Sequence, residues 1–150
     1  TIDWERRYRL MRYHTGSHIL DGVVQKATGA LVTGNQLAID KTRIDFALEN
    51  FDKGMLKDFE DKANEIISRN LPVHIKFLTR EEVLKRPEMI KLAMGLPENQ
   101  AEFRIIEIEG FDSQPCGGTH LKNTGEVGRI RITGAENKGK SNRRISFVVE

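Results

Sequence analysis

Two short stretches hold four of the five histidine and cysteine residues in this 150-residue chain: "HTGSH", with His14 and His18, and "CGGTH", with Cys116 and His120. At i and i+4 on a helix, two imidazoles share one face with Cβ atoms about 5–6 Å apart, so both can reach one ion. Cys116 and His120 repeat the spacing, but Pro115, Gly117 and Gly118 predict a turn between strands there. Small residues in such a turn let backbone approach closely and leave N–H groups free to face a ligand. Only His74 falls outside the two motifs, on the polar side of an alternating segment that predicts an ordinary surface or hydrogen-bonding role.

Three imidazoles and one thiolate suit Zn²⁺, which is borderline-soft and usually tetrahedral. Either motif alone is more simply read as a histidine pair, or a Cys–His pair, satisfying local hydrogen bonds. Together they use nearly every available ligand, and metal binding becomes the expectation. Structural zinc sites are typically Cys-rich and closed, whereas catalytic sites keep a position for water. One thiolate, a separation of about a hundred residues between the halves, and a chain large enough for its own core all favour catalysis. Thr15 stands where an H-E-x-x-H protease helix needs its glutamate, which argues against a metalloprotease.

The elements that must position these residues follow from pattern. Residues 4–28 predict a helix capped by Asp3 and stopped at Gly29, with Gly16 and Gly22 leaving room for two helices in line. Strands are expected in "LVTGNQLAID" and "RIDFAL", then a helix from Asp52 with Met55, Phe59, Ala63, Ile66 and Ile67 inward. "PVHIKFLT" alternates Val73, Ile75 and Phe77 against His74 and Lys76, predicting a half-buried strand. Thr79 and Glu82 form a capping box for a short helix broken by Pro87. "FRIIEIEGF", "GEVGRIRITG" and "RRISFVVE" read as three further strands. The order predicts one α+β domain over residues 1–150, a mainly antiparallel sheet packed with helices, without βαβ alternation.

Hydrophobic residues make up 38% of the chain and charged residues 31%, as in folded globular domains. No apolar run approaches the roughly 20 residues of a membrane span. No signal peptide is evident, and one cysteine cannot form an internal disulfide, so cytoplasm is the expected compartment. A start at Thr1 predicts a piece of a longer protein that lacks an N-terminal domain. The net charge is only +2, but residues 122–144 carry Lys122, Arg129, Arg131, Lys138, Lys140, Arg143 and Arg144 against Glu126 and Glu136. Such a stretch suits a polyanion, or is simply a solvated face.

"HTGSHIL", "RIDF", "CGGTHLKNTGEVGRIRI" and "RRISFVV" resemble the editing domain of alanyl-tRNA synthetases and the free-standing AlaX editing proteins. The resemblance covers nearly the whole chain. It implies the editing-domain fold shared by threonyl- and alanyl-tRNA synthetases, with zinc held by His14, His18, Cys116 and His120. It further implies hydrolysis of the ester joining serine, and often glycine, to the acceptor end of tRNA for alanine. The "GGT" between Cys116 and His120 favours the alanyl branch over the threonyl one. Thr33 aligns with a polar residue that recognises the serine hydroxyl, the alternative being a loop threonine bonded to its own backbone. The N–H groups of Gly117 and Gly118 are candidates for stabilising an oxyanion. Lys138, Lys140, Arg143 and Arg144 would meet tRNA phosphates, and Asp45 is expected to be structural. A nucleic-acid-binding module with a structural zinc is the competing reading from another class.

Overall fold

The computed structural model describes all 150 residues. Its centre is α1 (Trp4–Thr28), whose N-cap Asp3 accepts from the Arg6 amide at 3.1 Å and whose C-cap Gly29 takes the left-handed conformation. From Tyr13 to Val24 nearly every residue of α1 is buried, so this helix shows no apolar stripe: it is enclosed on all sides. It runs unbroken through Gly16 and Gly22, as one helix and not two in line. Gly16 lies against Ile130, Phe147 and Val127, and Gly22 against the ring of Phe111. Both glycines therefore mark close packing of the helix, not a break in it.

Seven strands follow: β1 (Val32–Gln36), β2 (Thr42–Phe46), β3 (Val73–Thr79), β4 (Glu102–Ile108), β5 (Asp112–Pro115), β6 (Ile130–Asn137) and β7 (Arg143–Val149). They form two sheets, ordered β1-β2-β7-β6 and β3-β4-β5, with every strand pair antiparallel. Helix α2 (Lys53–Ser68), capped by Asp52, joins α1 on the four-stranded sheet. The main core gathers Tyr13, Leu20 and Val24 from α1, Phe59 and Ile67 from α2, and Ile44, Phe46, Ile145 and Phe147 from the sheet. A smaller core of Val83, Met89, Phe103 and Ile105 lies where α3 (Arg80–Leu84) and a 3-10 turn at Pro87–Met89 cover the other sheet. The architecture is α+β, as expected, and the Thr79–Glu82 capping box is present. No helix is long and apolar enough to cross a membrane.

Three local expectations need correction. β3 is not half-buried: Ile75 and Phe77 are 56% and 63% exposed, because β3 is the edge of a short sheet and nothing covers its end of that face. "GEVGRIRITG" is not one strand. Its first part is a 3-10 turn at Thr124–Val127, and the strand begins at Ile130. Thr124 accounts for the turn: its Oγ1 accepts from the Leu71 amide at 2.8 Å and donates to the Ile66 carbonyl at 3.0 Å. Finally, β5 lies between Asp112 and Pro115, immediately before "CGGTH", where no strand was expected.

Candidate metal centre

His14 and His18 stand one turn apart on α1, and Cys116 and His120 on the loop that leaves β5. The structure brings the four side chains together, with one potential ligand atom from each lying within 4.8 Å of the others. Cys116 Sγ is 3.4 Å from Nε2 of His14 and 3.4 Å from Nε2 of His120. With bonds of about 2.0–2.3 Å, a tetrahedral zinc has ligand-to-ligand edges of about 3.3–3.8 Å. The two sulfur–nitrogen distances fall in that range, and the donor types suit zinc.

The loop is held from behind by Arg104 on β4. Its Nη1 donates to the carbonyls of Cys116 at 2.9 Å and Gly118 at 2.8 Å, while the Cys116 amide donates to the Arg104 carbonyl at 2.9 Å. Gly118 is glycine for a steric reason: a Cβ there would overlap the His14 ring. Its N–H points at Cys116 Sγ, 3.4 Å away. Thr15 Oγ1 lies 3.1 Å from His120 Nδ1 and accepts from the Leu121 amide at 3.0 Å, tying the helix to the loop between the donors. The Thr119 backbone bonds His14.

Burial dominates the electrostatics. It holds His14 and His18 below the ordinary histidine range, His18 far below, and the neighbouring His120, His14 and Lys91 add to the effect on His18. His120 is pushed down to about 3 by burial, with His14 and Arg104 contributing. All three imidazoles are thus neutral at pH 7, with lone pairs free for a metal. Burial pushes the Cys116 thiol up, opposed by the Gly118 N–H and Arg104, so a bound cation would supply what ionisation lacks.

A cavity of about 250 Å³ opens beside Cys116 and Gly117, walled by Leu92, Leu96, Phe103, Arg104 and Gln114 among others. Lys91 anchors the wall that carries Leu92. It is buried in an ion pair with Asp112 at 2.8 Å and also donates to Gln25 of α1.

The remaining predicted residues lie elsewhere. Thr33 is on β1, donating to Asn142 Oδ1 at 2.6 Å, and is not among the residues lining the cavity. Arg144 makes two bonds to Asp45, at 2.8 and 3.1 Å, giving Asp45 the structural role expected of it. Arg143 is spent on Asn137, the Gly139 and Asn142 carbonyls, and Glu49. Lys138 pairs with Glu136 at 2.9 Å, and Lys140 is exposed. His74 is exposed, 3.8 Å from the Glu109 carboxylate and outside the cluster. Thr15 and Arg104 were not singled out from sequence as site residues. Only the i+1 position of Thr15 beside His14 could have hinted at its role.

Residues 103–146 match the family described as the second additional domain of threonyl and alanyl tRNA synthetases. The chain is 48% identical over 149 residues to the alanyl-tRNA editing protein AlaX-M of Methanosarcina acetivorans, covering 99% of this chain and 61% of that protein. It is 44% identical over 150 residues to AlaX-M of Saccharolobus solfataricus, covering all of this chain and 63% of the relative. An alanine–tRNA ligase of Ignicoccus hospitalis is 37% identical over 150 residues, which are 16% of its length. The chain thus spans about three fifths of the AlaX-M relatives it matches. The resemblance carried by the motifs holds along nearly the whole sequence.

Proposed function

From this likeness to alanyl-tRNA editing proteins, we propose that the chain is a zinc-dependent deacylase that hydrolyses the ester of mischarged tRNA for alanine, chiefly seryl and also glycyl. The observation that carries the reading is the convergence of His14, His18, Cys116 and His120, with ligand atoms within 4.8 Å of one another, beside a cavity. Zinc bound there would supply a Lewis acid, or a water made acidic enough to attack near neutral pH. The protein's own part is positional. Arg104 and Thr15 fix the loop and the His120 ring, the cavity takes the acyl-bearing end, and its apolar wall limits bulk water. Because the Gly118 N–H is directed at sulfur, an oxyanion contact from this turn falls to Gly117, which lines the cavity.

The acceptor end of tRNA is the proposed partner, in the cytoplasm, where such substrates occur. Lys138 and Lys140 are the better candidates for phosphate contacts, since Arg143 and Arg144 already hold the β6–β7 turn and Asp45. Contacts of this kind position the substrate and make binding salt-dependent. Thr33 is the proposed reader of the serine hydroxyl. It does not line the cavity, but its neighbour Val32 pairs with Leu92 of the cavity wall. Reading would require Thr33 to exchange Asn142 for the hydroxyl. A site that hydrogen-bonds a hydroxyl rejects the analogue lacking one. Thr33→Val should therefore raise alanyl hydrolysis relative to seryl hydrolysis by about tenfold, and an unchanged ratio removes Thr33 from the reading.

The deciding experiment is deacylation of seryl-, glycyl- and alanyl-tRNA for alanine by the wild type and by Cys116→Ala. Hydrolysis of the seryl and glycyl esters that spares alanyl and is lost in Cys116→Ala is the expected result. Equal hydrolysis by the two proteins would rule the reading out.

A further inference from the structure

Three buried polar atoms of α1 lack a hydrogen-bond partner, the Tyr13 hydroxyl, His18 Nδ1 and Asp21 Oδ1, and the last two belong to one face. His18 and Asp21 are only 4% and 8% exposed. A buried unpaired polar atom costs about 1–3 kcal/mol, so two of them three positions apart on one helix call for an explanation.

Helical side chains lean toward the N-terminus, and residues three apart share a face. Asp21 is therefore on the same face as His18, one turn further along, although the two side chains are not hydrogen-bonded to each other. Nearby charges do not claim it: Lys91 pairs with Asp112 at 2.8 Å, and Gln114 Nε2 donates to the second Asp112 oxygen at 2.9 Å. Asp21 also lies on the donor side of the helix, since its charge opposes ionisation of the Cys116 thiol. The other two imidazoles already have orienting partners, the Thr119 backbone for His14 and Thr15 for His120. His18 alone among the three has none.

We propose that Asp21 is the positioning residue of His18: with His18 Nε2 on the metal, its Nδ1–H donates to the Asp21 carboxylate. Metal-bound histidines almost always donate their second N–H, commonly to a carboxylate, and removing that partner typically costs 10–100-fold in metal affinity. Charge points the same way. Three neutral imidazoles and one thiolate leave a divalent ion with a net +1 in a buried site, and one carboxylate balances it. The inference rests on the zinc-binding half of the proposed function and not on the ester chemistry.

The test is zinc affinity by competition with a chromophoric chelator, together with urea unfolding of the metal-free protein, for the wild type, Asp21→Leu and Asp21→Asn. Asp21→Leu should bind zinc 10–100-fold more weakly, while its metal-free form is as stable as wild type or more so, because an unpaired buried carboxyl is gone. Asp21→Asn keeps an acceptor oxygen without the charge and should fall between them, at least threefold weaker than wild type. It carries the test alone if the leucine variant does not fold. Zinc-loaded wild type should also show an exchange-protected His18 Nδ1–H signal by NMR that the leucine variant lacks. Zinc affinity within twofold of wild type in the folded variants overturns the proposal while leaving the deacylase reading intact. A wild type that binds no zinc sinks both. Weaker zinc binding in the variants with no deacylation by the wild type sinks the deacylase reading alone.

Discussion

Gly118 shows how little room the donor set leaves. A Cβ added at Gly118 would overlap the His14 ring, so Gly118→Ala must displace either the loop or the imidazole. The variant should keep its fold but lose zinc affinity by more than tenfold, measured by chelator competition. Thr15→Val removes the hydroxyl that touches His120 and should cost about 10–100-fold in the same assay. The depressed histidines make a second prediction, for stability against pH. His14, His18 and His120 stay neutral in the fold below the value of about 6.5 at which they protonate when unfolded. The unfolded chain then binds more protons, so stability falls as pH drops from about 6.5, continuing toward 3 for His120. Asp21, held well above its ordinary value by burial and by Asp112, works with the opposite sign above about 4. Three histidines outweigh one carboxyl, so the stability of the metal-free protein, read from urea unfolding, should fall as pH drops below about 6.5. A flat profile would refute the burial argument. At this scale the donors were legible because His and Cys at i, i+4 advertise their chemistry by type. Thr15, Arg104 and Asp21 were not. Thr15 touches His120, 105 positions on. Arg104 bonds backbone carbonyls 12 and 14 positions on that carry no signal of their own, and Asp21 reads from sequence as an ordinary helix carboxylate.

The segment that walls the cavity is held by backbone bonds of Lys91 and Ala93 with Val32 of β1 and by one buried ion pair. Lys91 and Asp112 side chains are 7% and 1% exposed, and between them they join the stretch after Pro87–Met89, β5 and, through Gln25, α1. Removing one partner of such a pair strands the other, at about 3–5 kcal/mol. Lys91→Met should therefore lower the melting temperature by roughly 6–20 °C, taking 2–4 °C per kcal/mol for a domain of this size. Adding Asp112→Leu should recover most of that loss, because an apolar replacement of both partners is often neutral. Failure of the double variant to recover would mean that the pair is not an anchor. Helix boundaries could be read from the sequence because caps are local: Asp3, Asp52 and the Thr79–Glu82 box each act within one turn. The face of β3 could not. Alternation of Val73, Ile75 and Phe77 predicts a covered side, but whether anything lies over it depends on how far the neighbouring elements reach. "GEVG" misled for a related reason: Thr124 is recruited by Ile66 and Leu71, far off in sequence.

Neither hydrophobic core includes a metal donor. Chelation should therefore leave the far-ultraviolet circular dichroism unchanged and abolish deacylation. Zinc at a hundredfold over its dissociation constant adds about 2.7 kcal/mol, or roughly 5–11 °C in the melting temperature. A chain that unfolds outright on chelation would instead favour the structural-zinc module. The α+β class was legible from element order, whereas the division of the strands into two sheets around one enclosed helix was not, because α1 carries no stripe to say that it has neighbours on every side. That enclosure has a temporal side. His14 and Cys116 meet across 102 positions. At a synthesis rate of about 5–20 residues per second, roughly 5–20 s separate their emergence from the ribosome. For that interval the nascent helix offers a bare histidine pair with half a coordination sphere. The ion must be taken up after translation has passed His120, so the cell's free-metal pool at that moment, more than the helix that starts the site, decides which ion the finished protein holds.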